Sequence, residues 1–406
     1  MDQPIEERDP ISPLVAKVFE IQQVIAGGGK YPFVMRYAGR LTMDSERAYA
    51  ALAKDLKRHR LLPLFLEEGG LHVIQVMPGL PRPRRSNPWI NLIFFALTLV
   101  SMLMAGALYS YDGPQPADTV EFLRLILNSL GSGLPFAASL LAILLAHEFG
   151  HYLAARYHNT AVTLPYFLPF PLSPFGTLGA FIQLKEPPRN KRILLDIGIA
   201  GPLAGLVVAI PILILGLALS EVSTLPQFLQ AGHSYSLEGN SILYLLAKYL
   251  VHGQWLPAPA SYGGVEPLLY WARFIFTGQP IPLGGMDVLL HPIAWAGWAG
   301  LLVTALNLIP AGQLDGGHVL YTLFGKRTRL LLPFILAGLA ALGFFWSGWW
   351  LWVFLILFLG GSHAQPLDQI TKLDKGRVAL AIFGIIVFIL VFIPVPLQII
   401  EGAFGG

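Results

Sequence analysis

Leu134-Pro135-Phe136-Ala137-Ala138-Ser139-Leu140-Leu141-Ala142-Ile143-Leu144-Leu145-Ala146-His147-Glu148-Phe149-Gly150-His151-Tyr152-Leu153 is the stretch on which the reading of this chain turns. It carries no charge before His147, then places two histidines and a glutamate within one short run. The apolar segment around it, Gly133 to Arg156, is long enough to cross a bilayer. Ionisable side chains at lipid depth are costly and so rarely incidental. On a helix, positions four apart share a face. Both imidazoles of this H-E-x-x-H run can therefore reach one zinc ion, and Glu148 can reach a water on that ion. The competing reading is an interhelical polar cluster, in which the three side chains partner one another.

The chain around this run has the same character. Of its 406 residues, 54% are apolar and 51 are Lys, Arg, Asp or Glu, about half the charge density of an ordinary soluble domain. Of those 51, 23 lie at or before Ser86, leaving 28 for the remaining 320 residues. The composition describes a small soluble head, residues 1–86, on a membrane-embedded body, residues 87–406. A simple soluble enzyme is excluded, as is a disordered or collagen-like chain, since 42 Gly and 32 Pro fall among apolar runs without a period. With no cysteine, disulfides, thiolate ligands and cysteine nucleophiles are ruled out. A net charge of +3 without a basic, aromatic-laced patch argues against nucleic acid as a partner. The acidic, amphipathic first thirty residues are expected to hold no cleavable signal peptide.

Further apolar runs occur at Pro88 to Ser110, Leu194 to Ser220, Pro292 to Tyr321 and Ala379 to Val395. Leu330 to Gly361 is too long for one span and breaks at Ser347-Gly348, so it is expected to form a hairpin of two. The fold class is thus an all-α polytopic membrane protein of about seven transmembrane helices (range six to eight), with a small N-terminal α/β soluble domain. Basic residues cluster in segments that this count puts on one side: Arg82, Arg84 and Arg85; Lys185, Arg189, Lys191 and Arg192; Lys326, Arg327 and Arg329; Lys372, Lys375 and Arg377. The opposite loops carry only Arg124, Lys248 and Arg273. A multi-pass protein of the cell membrane with a cytoplasmic head follows from the positive-inside rule.

In the head, Tyr31 to Leu41 is expected to be a strand, Asp44 to Arg60 a helix capped by Asp44 or Ser45, and Leu61 to Glu67 with Leu71 to Met77 a hairpin. Pro78 to Arg85 reads as a stiff basic linker suited to anionic headgroups. The loop Glu221 to His291 is nearly charge-free, with room for an interfacial or re-entrant piece at Ser241 to Val251. In Thr160 to Glu186, four prolines forbid a helix and Gly176 to Leu184 has strand composition; such a segment could pair with an unwound substrate or merely shield the site.

Two histidines do not complete a catalytic zinc site, which usually has three protein ligands and an open position. Without cysteine the third is His, Asp or Glu. Asp315 is the best candidate, in Asn307-Leu308-Ile309-Pro310-Ala311-Gly312-Gln313-Leu314-Asp315-Gly316-Gly317-His318. Pro310 and Gly312 should unwind the span, and unwound backbone is tolerated in a membrane where it lines a protein cavity. The alternative for Asp315 is a carboxylate capping the helix that restarts at Gly316. Asp196, the third acid at lipid depth, reads as structural, His318 as a polar cavity-lining residue, Gly201-Pro202-Leu203-Ala204-Gly205 as helix packing, and the tryptophans from Trp346 to Trp352 as an interfacial belt.

The pairing of HEFGH with NLIPAGQLDGGH resembles the site-2 protease family of intramembrane zinc metalloproteases. The likeness extends to Leu164-Pro165-Tyr166-Phe167, Gly176-Thr177-Leu178-Gly179, the run Asp196 to Gly205 and Phe392-Ile393-Pro394-Val395-Pro396, covering about Asn87 to Pro396. The head resembles that of the longer prokaryotic and plastid-related members. The resemblance implies one Zn2+ per chain held by His147, His151 and Asp315, with Glu148 as general base and Asn307 near the scissile carbonyl. It also implies that the substrates are membrane-anchored proteins cut within the lipid bilayer. For Asn307, a plain helix-break cap is the bland alternative. Two rivals come from other classes: an ion or metal transporter using the broken span as its binding site, and a non-proteolytic membrane scaffold with a structural zinc.

Overall fold

Two turns of local chemistry build the head. In the computed structural model, which describes residues 10–28, 32–79, 86–111, 118–227, 234–359 and 365–401, the chain opens with α1 (Ser12–Ala16), β1 (Phe19–Ala26) and β2 (Met35–Leu41). There follow α2 (Ser45–Lys57) and a hairpin of β3 (Leu61–Glu68) and β4 (Leu71–Pro78). Asp44 starts α2: its Oδ1 accepts the amides of Glu46 and Arg47 at 3.1 and 3.3 Å. The hairpin turns on Gly69 and Gly70, both at positive φ. Strand order is β1-β2-β4-β3, antiparallel throughout. Ala48, Leu52 and Leu56, spaced by four, bury one face of α2 on Tyr37, Phe65 and Ile74 of the sheet. The sequence reading has no counterpart to β1, because Phe19 alone is buried along it and no alternation marks it. Tyr31 and residues 80–85 of the linker lie outside the described residues.

The body continues with α3 (Pro88–Tyr109), α4 (Thr119–Ser129), α5 (Leu134–Tyr157), a hairpin of β5 (Tyr166–Pro169) and β6 (Thr177–Phe181), and α6 (Lys191–Ala218). After α6 come β7 (Glu221–Thr224), β8 (Ser234–Glu238), α7 (Ile242–His252), α8 (Pro267–Thr277) and β9 (Met286–Leu289). The chain ends with α9 (Pro292–Asn307), α10 (Asp315–Phe324), α11 (Thr328–Gly343), α12 (Gly348–Leu359), α13 (Lys375–Val391) and β10 (Leu397–Glu401). Three helical stretches among the described residues are long and apolar enough to cross a membrane: 88–109, 119–157 and 191–218. Helices α9, α11, α12 and α13 have 16, 16, 12 and 17 residues. Length and composition thus single out three candidate crossings, and the expectation of about seven rests on these shorter helices. The break expected at Ser347-Gly348 does separate α11 from α12.

Helices α5, α6 and α9 form the centre of the body. They meet through glycines, which suits a setting where close van der Waals contact holds helices together. A Cβ on Gly150 of α5 would lie 2.5 Å from the carbonyl oxygen of Ala200 on α6, and one on Gly300 of α9 would lie 2.7 Å from Ile143 on α5. The β5–β6 hairpin is tied to α3 by Asn91, whose amide donates to the carbonyls of Leu164 and Pro165 at 3.0 and 2.8 Å.

At the C-terminal end of α6 a cap forms from two two-stranded sheets, β7 with β9 and β8 with β10. Its α7 occupies the place suspected of an interfacial piece. The loop is less bland than its composition suggests. Glu238, Lys248 and Asp287 are all buried; Lys248 Nζ lies 3.5 Å from Asp287 and 4.0 Å from Glu238, and the Tyr244 hydroxyl donates to Glu238 at 2.8 Å.

At the other end of α6 the head is stitched to the body. Phe65 on β3 donates its amide to Leu367 O and accepts from Gln369 N, at 2.8 and 3.0 Å, and Asp368 N donates to Arg189 O at 2.7 Å. Asp368 is buried and accepts the Ser45 hydroxyl at 2.8 Å. Glu46 of α2 accepts from Asn190 and pairs with Arg192 at 3.0 and 2.7 Å.

Candidate metal centre

Helix α5 carries His147 and His151 one turn apart on its buried face, with Glu148 buried beside them. The span read as Pro292 to Tyr321 is interrupted: α9 ends at Asn307 and α10 begins at Asp315. Gly312, at φ +60°, makes the turn. Gly317 lets α10 close on it, since a Cβ there would meet the Ala311 carbonyl oxygen at 2.7 Å. Asp315 is not a cap. The N-cap of α10 is Leu314, without a side-chain bond, and the Asp315 carboxylate turns to the histidines instead.

Asp315 Oδ2 lies 3.4 Å from His147 Nε2 and 3.2 Å from His151 Nε2, and the two Nε2 atoms are 3.2 Å apart. Donors on a tetrahedral zinc at about 2.0–2.2 Å are separated by about 3.3 Å, so this triangle has the size of one face of such a site. These three residues are the group of potential metal ligands found among the described residues. Carbonyl Ile197 O on α6 meets His151 Nδ1 at 2.7 Å. That bond places the proton on Nδ1 and leaves Nε2 as the donor atom. Glu148 Oε2 is buried without a hydrogen-bond partner among the described residues, next to the triangle. A buried orphan carboxylate oxygen is expensive unless a proton-bearing ligand arrives.

The four residues share a cavity of about 240 Å³ with Asn307, His318 and the segment Ala180 to Ile182 at the end of β6. Asn307 Nδ2 lies 3.3 Å from His147 Nε2, so its amide faces the site and not only the broken backbone. All five residues singled out from sequence, His147, Glu148, His151, Asn307 and Asp315, are therefore brought together, and His318 lines the same cavity. Asp196 stands apart, binding His158 at 2.9 Å and Arg377 through both oxygens at 2.9 and 2.6 Å. It ties the end of α5 to α6 and α13.

Gly201 and Gly205 of α6 have a role that a packing motif does not disclose. A Cβ on Gly201 would lie within 2.5 Å of His151 Nε2, Cδ2 and Cε1, and one on Gly205 would lie 3.2 Å from His147 Cβ. The two glycines make the room in which the imidazoles stand. Their spacing of four, matching that of the histidines, was the available signal.

A family model described as peptidase family M50 matches residues 135–345, about half of the chain. Among curated proteins, the "Probable zinc metalloprotease EGY1, chloroplastic" of Oryza sativa subsp. japonica is 30% identical over 321 residues, 75% of this chain and 50% of the relative. Its namesake in Arabidopsis thaliana is 29% identical over 340 residues, 78% of this chain and 56% of the relative. The "Probable zinc metalloprotease EGY2, chloroplastic" of Oryza sativa subsp. indica is 28% identical over 373 residues, 89% of this chain and 61% of the relative. The chain spans about half the length of the first two. No solved structure gives a significant match.

Proposed function

The chain belongs to peptidase family M50, and from that premise we propose that it is an intramembrane zinc endopeptidase, hydrolysing peptide bonds in or near the transmembrane segments of membrane-anchored proteins. The observation that carries this reading is the triangle of His147 Nε2, His151 Nε2 and Asp315 Oδ2, 3.2 to 3.4 Å on a side, beside the unpartnered Oε2 of Glu148. We assign His147, His151 and Asp315 to hold the metal. A zinc ion bound there supplies a Lewis acid and a water acidified towards pKa about 7. Three protein donors leave a tetrahedral ion one open position, whereas a structural zinc scaffold has four.

Glu148 is the general base: it takes a proton from the attacking water and returns it to the leaving amine. Asn307 donates its amide to the oxygen of the scissile carbonyl, where negative charge develops. His151 is kept in its donor tautomer by Ile197. The unpaired edge of β6, which among the described residues has β5 as its partner strand, receives the unwound substrate by strand addition. Proline or charge substitutions at Phe181 or Gln183 that left cleavage rate and site unchanged would remove this last element.

The setting is a cell membrane crossed about seven times, by α3, α5, α6, the α9–α10 pair, α11, α12 and α13. The head, residues 1–86, lies on the cytoplasmic side of the body, residues 87–406, as the basic loops indicate. The test is membrane proteomics comparing wild type with Glu148→Gln, in which intact single-span proteins accumulate in the mutant. A purified protein that binds zinc yet cleaves no helical substrate, with no accumulation in cells, would refute the assignment.

A further inference from the structure

The seam between head and body borders an open recess of about 940 Å³. Lys54 and Lys57 of α2 and Arg60 beyond it line one side, and Arg189, just before α6, lines the other. Among the described residues none of these four cations is in an ion pair. The one acid on the wall, Glu186, already accepts the Ala161 amide at 2.8 Å. Apart from Thr160, the remaining lining is apolar or aromatic, including Tyr49, Leu62 and Leu367. Burial, opposed by nearby Arg189, pushes the Tyr49 phenol up, so it stays neutral and able to donate. All four cations are solvent-exposed, and like charges unpaired around one recess set up a positive potential that an anion relieves. Two arginines among them favour an oxyanion with planar faces of acceptors, above all phosphate. The volume accommodates more than a bare ion.

The same α2 that supplies Lys54 and Lys57 carries Glu46, which holds Asn190 and Arg192 at the start of α6. Less than two turns further along α6 is Ile197, whose carbonyl orients His151. We propose that the seam recess is a binding site for a phosphate-bearing ligand, and that its occupancy sets how firmly the head holds the N-terminal end of α6. The regulatory consequence rests on the protease reading; the binding does not.

The experiment uses the full-length chain in nanodiscs. In neutral phosphatidylcholine discs, pyrophosphate and a nucleoside triphosphate are titrated by calorimetry. In a second arm, discs with phosphatidylglycerol replace the soluble anion, and hydrogen exchange at Phe65 and residues 367–369 reports seam closure. Lys57→Glu with Arg189→Glu should weaken binding, or abolish the lipid-dependent protection, by about tenfold or more. The exposed Arg40→Glu should change neither. Binding of the soluble anion identifies a free ligand; protection only by anionic lipid identifies a headgroup; both support the site. No binding and no protection in wild type, or effects equal in the double variant, overturn it. Neither readout requires cleavage, so a failed protease assignment leaves this test intact.

Discussion

Gly201→Ala adds one methyl group to α6, and the site should answer it out of proportion. Alanine is the better helix former by about 1 kcal/mol, and the backbone of α6 gives no reason for failure. The added Cβ would nevertheless sit within 2.5 Å of His151 Nε2, Cδ2 and Cε1. Ordinary contact distance is about 3.5 Å and the nearest imidazole atom, Nε2, would be at 2.0 Å, so the imidazole must retreat by about 1.5 Å. It is not free to do so, because Nδ1 is held at 2.7 Å by Ile197 O. Zinc sites accept errors of about 0.2 Å in ligand distance. Zinc affinity should therefore fall by about 100-fold, and cleavage of a reporter transmembrane substrate by at least as much. The general cost of overpacking, about 1–3 kcal/mol, should leave the protein folded. Metal content after dialysis against buffered free zinc, measured beside circular dichroism, separates loss of the site from loss of the fold. Gly205→Ala, whose Cβ meets His147 Cβ at 3.2 Å, should be much milder. If Gly201→Ala held one zinc per chain at wild-type affinity and cleaved within about threefold of wild type, the idea that helix contact sets the ligand would be wrong.

Three further outcomes are expected. Asp315→Asn should lower zinc affinity by more than about 100-fold, beyond what loss of an orienting group alone produces, as read by competition with a fluorescent chelator. Asp368→Ala removes the acceptor for Ser45 and for the amides of Ile370 and Thr371; at about 2 kcal/mol for the stranded donors, exchange at Phe65 should quicken about 30-fold. In the cap, burial and then the neighbouring Asp287 push Glu238 up to about 7, against Lys248 and Tyr244. The folded cap thus binds that proton more tightly than the unfolded chain, so its stability should fall as pH rises from about 4.5 to about 7 and level off above. Glu238→Gln should flatten this profile, measured by exchange in β8 and β10, and an unchanged slope would point to another group.

The candidate site was legible for a physical reason: a charge in an apolar run has few excuses, so Glu148 and Asp315 stood out, and helical spacing supplied the histidines. The α2 cap at Asp44 and the Gly69-Gly70 turn are local and were equally readable. What escaped is long-range. Ser45 and Asp368 meet across 323 positions, and neither is unusual where it stands. Strand β1 is an edge with one buried side chain, so periodicity had nothing to register. The Glu238, Lys248 and Asp287 cluster was hidden by averaging, although isolated charges in a nearly charge-free loop are the same signal that exposed Glu148. Helices shorter than a bilayer width, such as α12, leave the count of crossings to topology and not to length.

Strand β3 lies at the margin of its sheet, and an open margin is an invitation to pair with another chain. Here residues 367–369 occupy that margin at Phe65, while Leu367 and Ile370 pack against the head's core. The head therefore completes itself with a piece of chain made some 300 residues later. A fragment ending at Ser86 would emerge from a ribosome with a raw sheet edge and an unfilled core, and is expected to aggregate when expressed alone. During synthesis the head is expected to close only after the connection between α12 and α13 has been made, so its closure should report that α3 to α12 have already been synthesised.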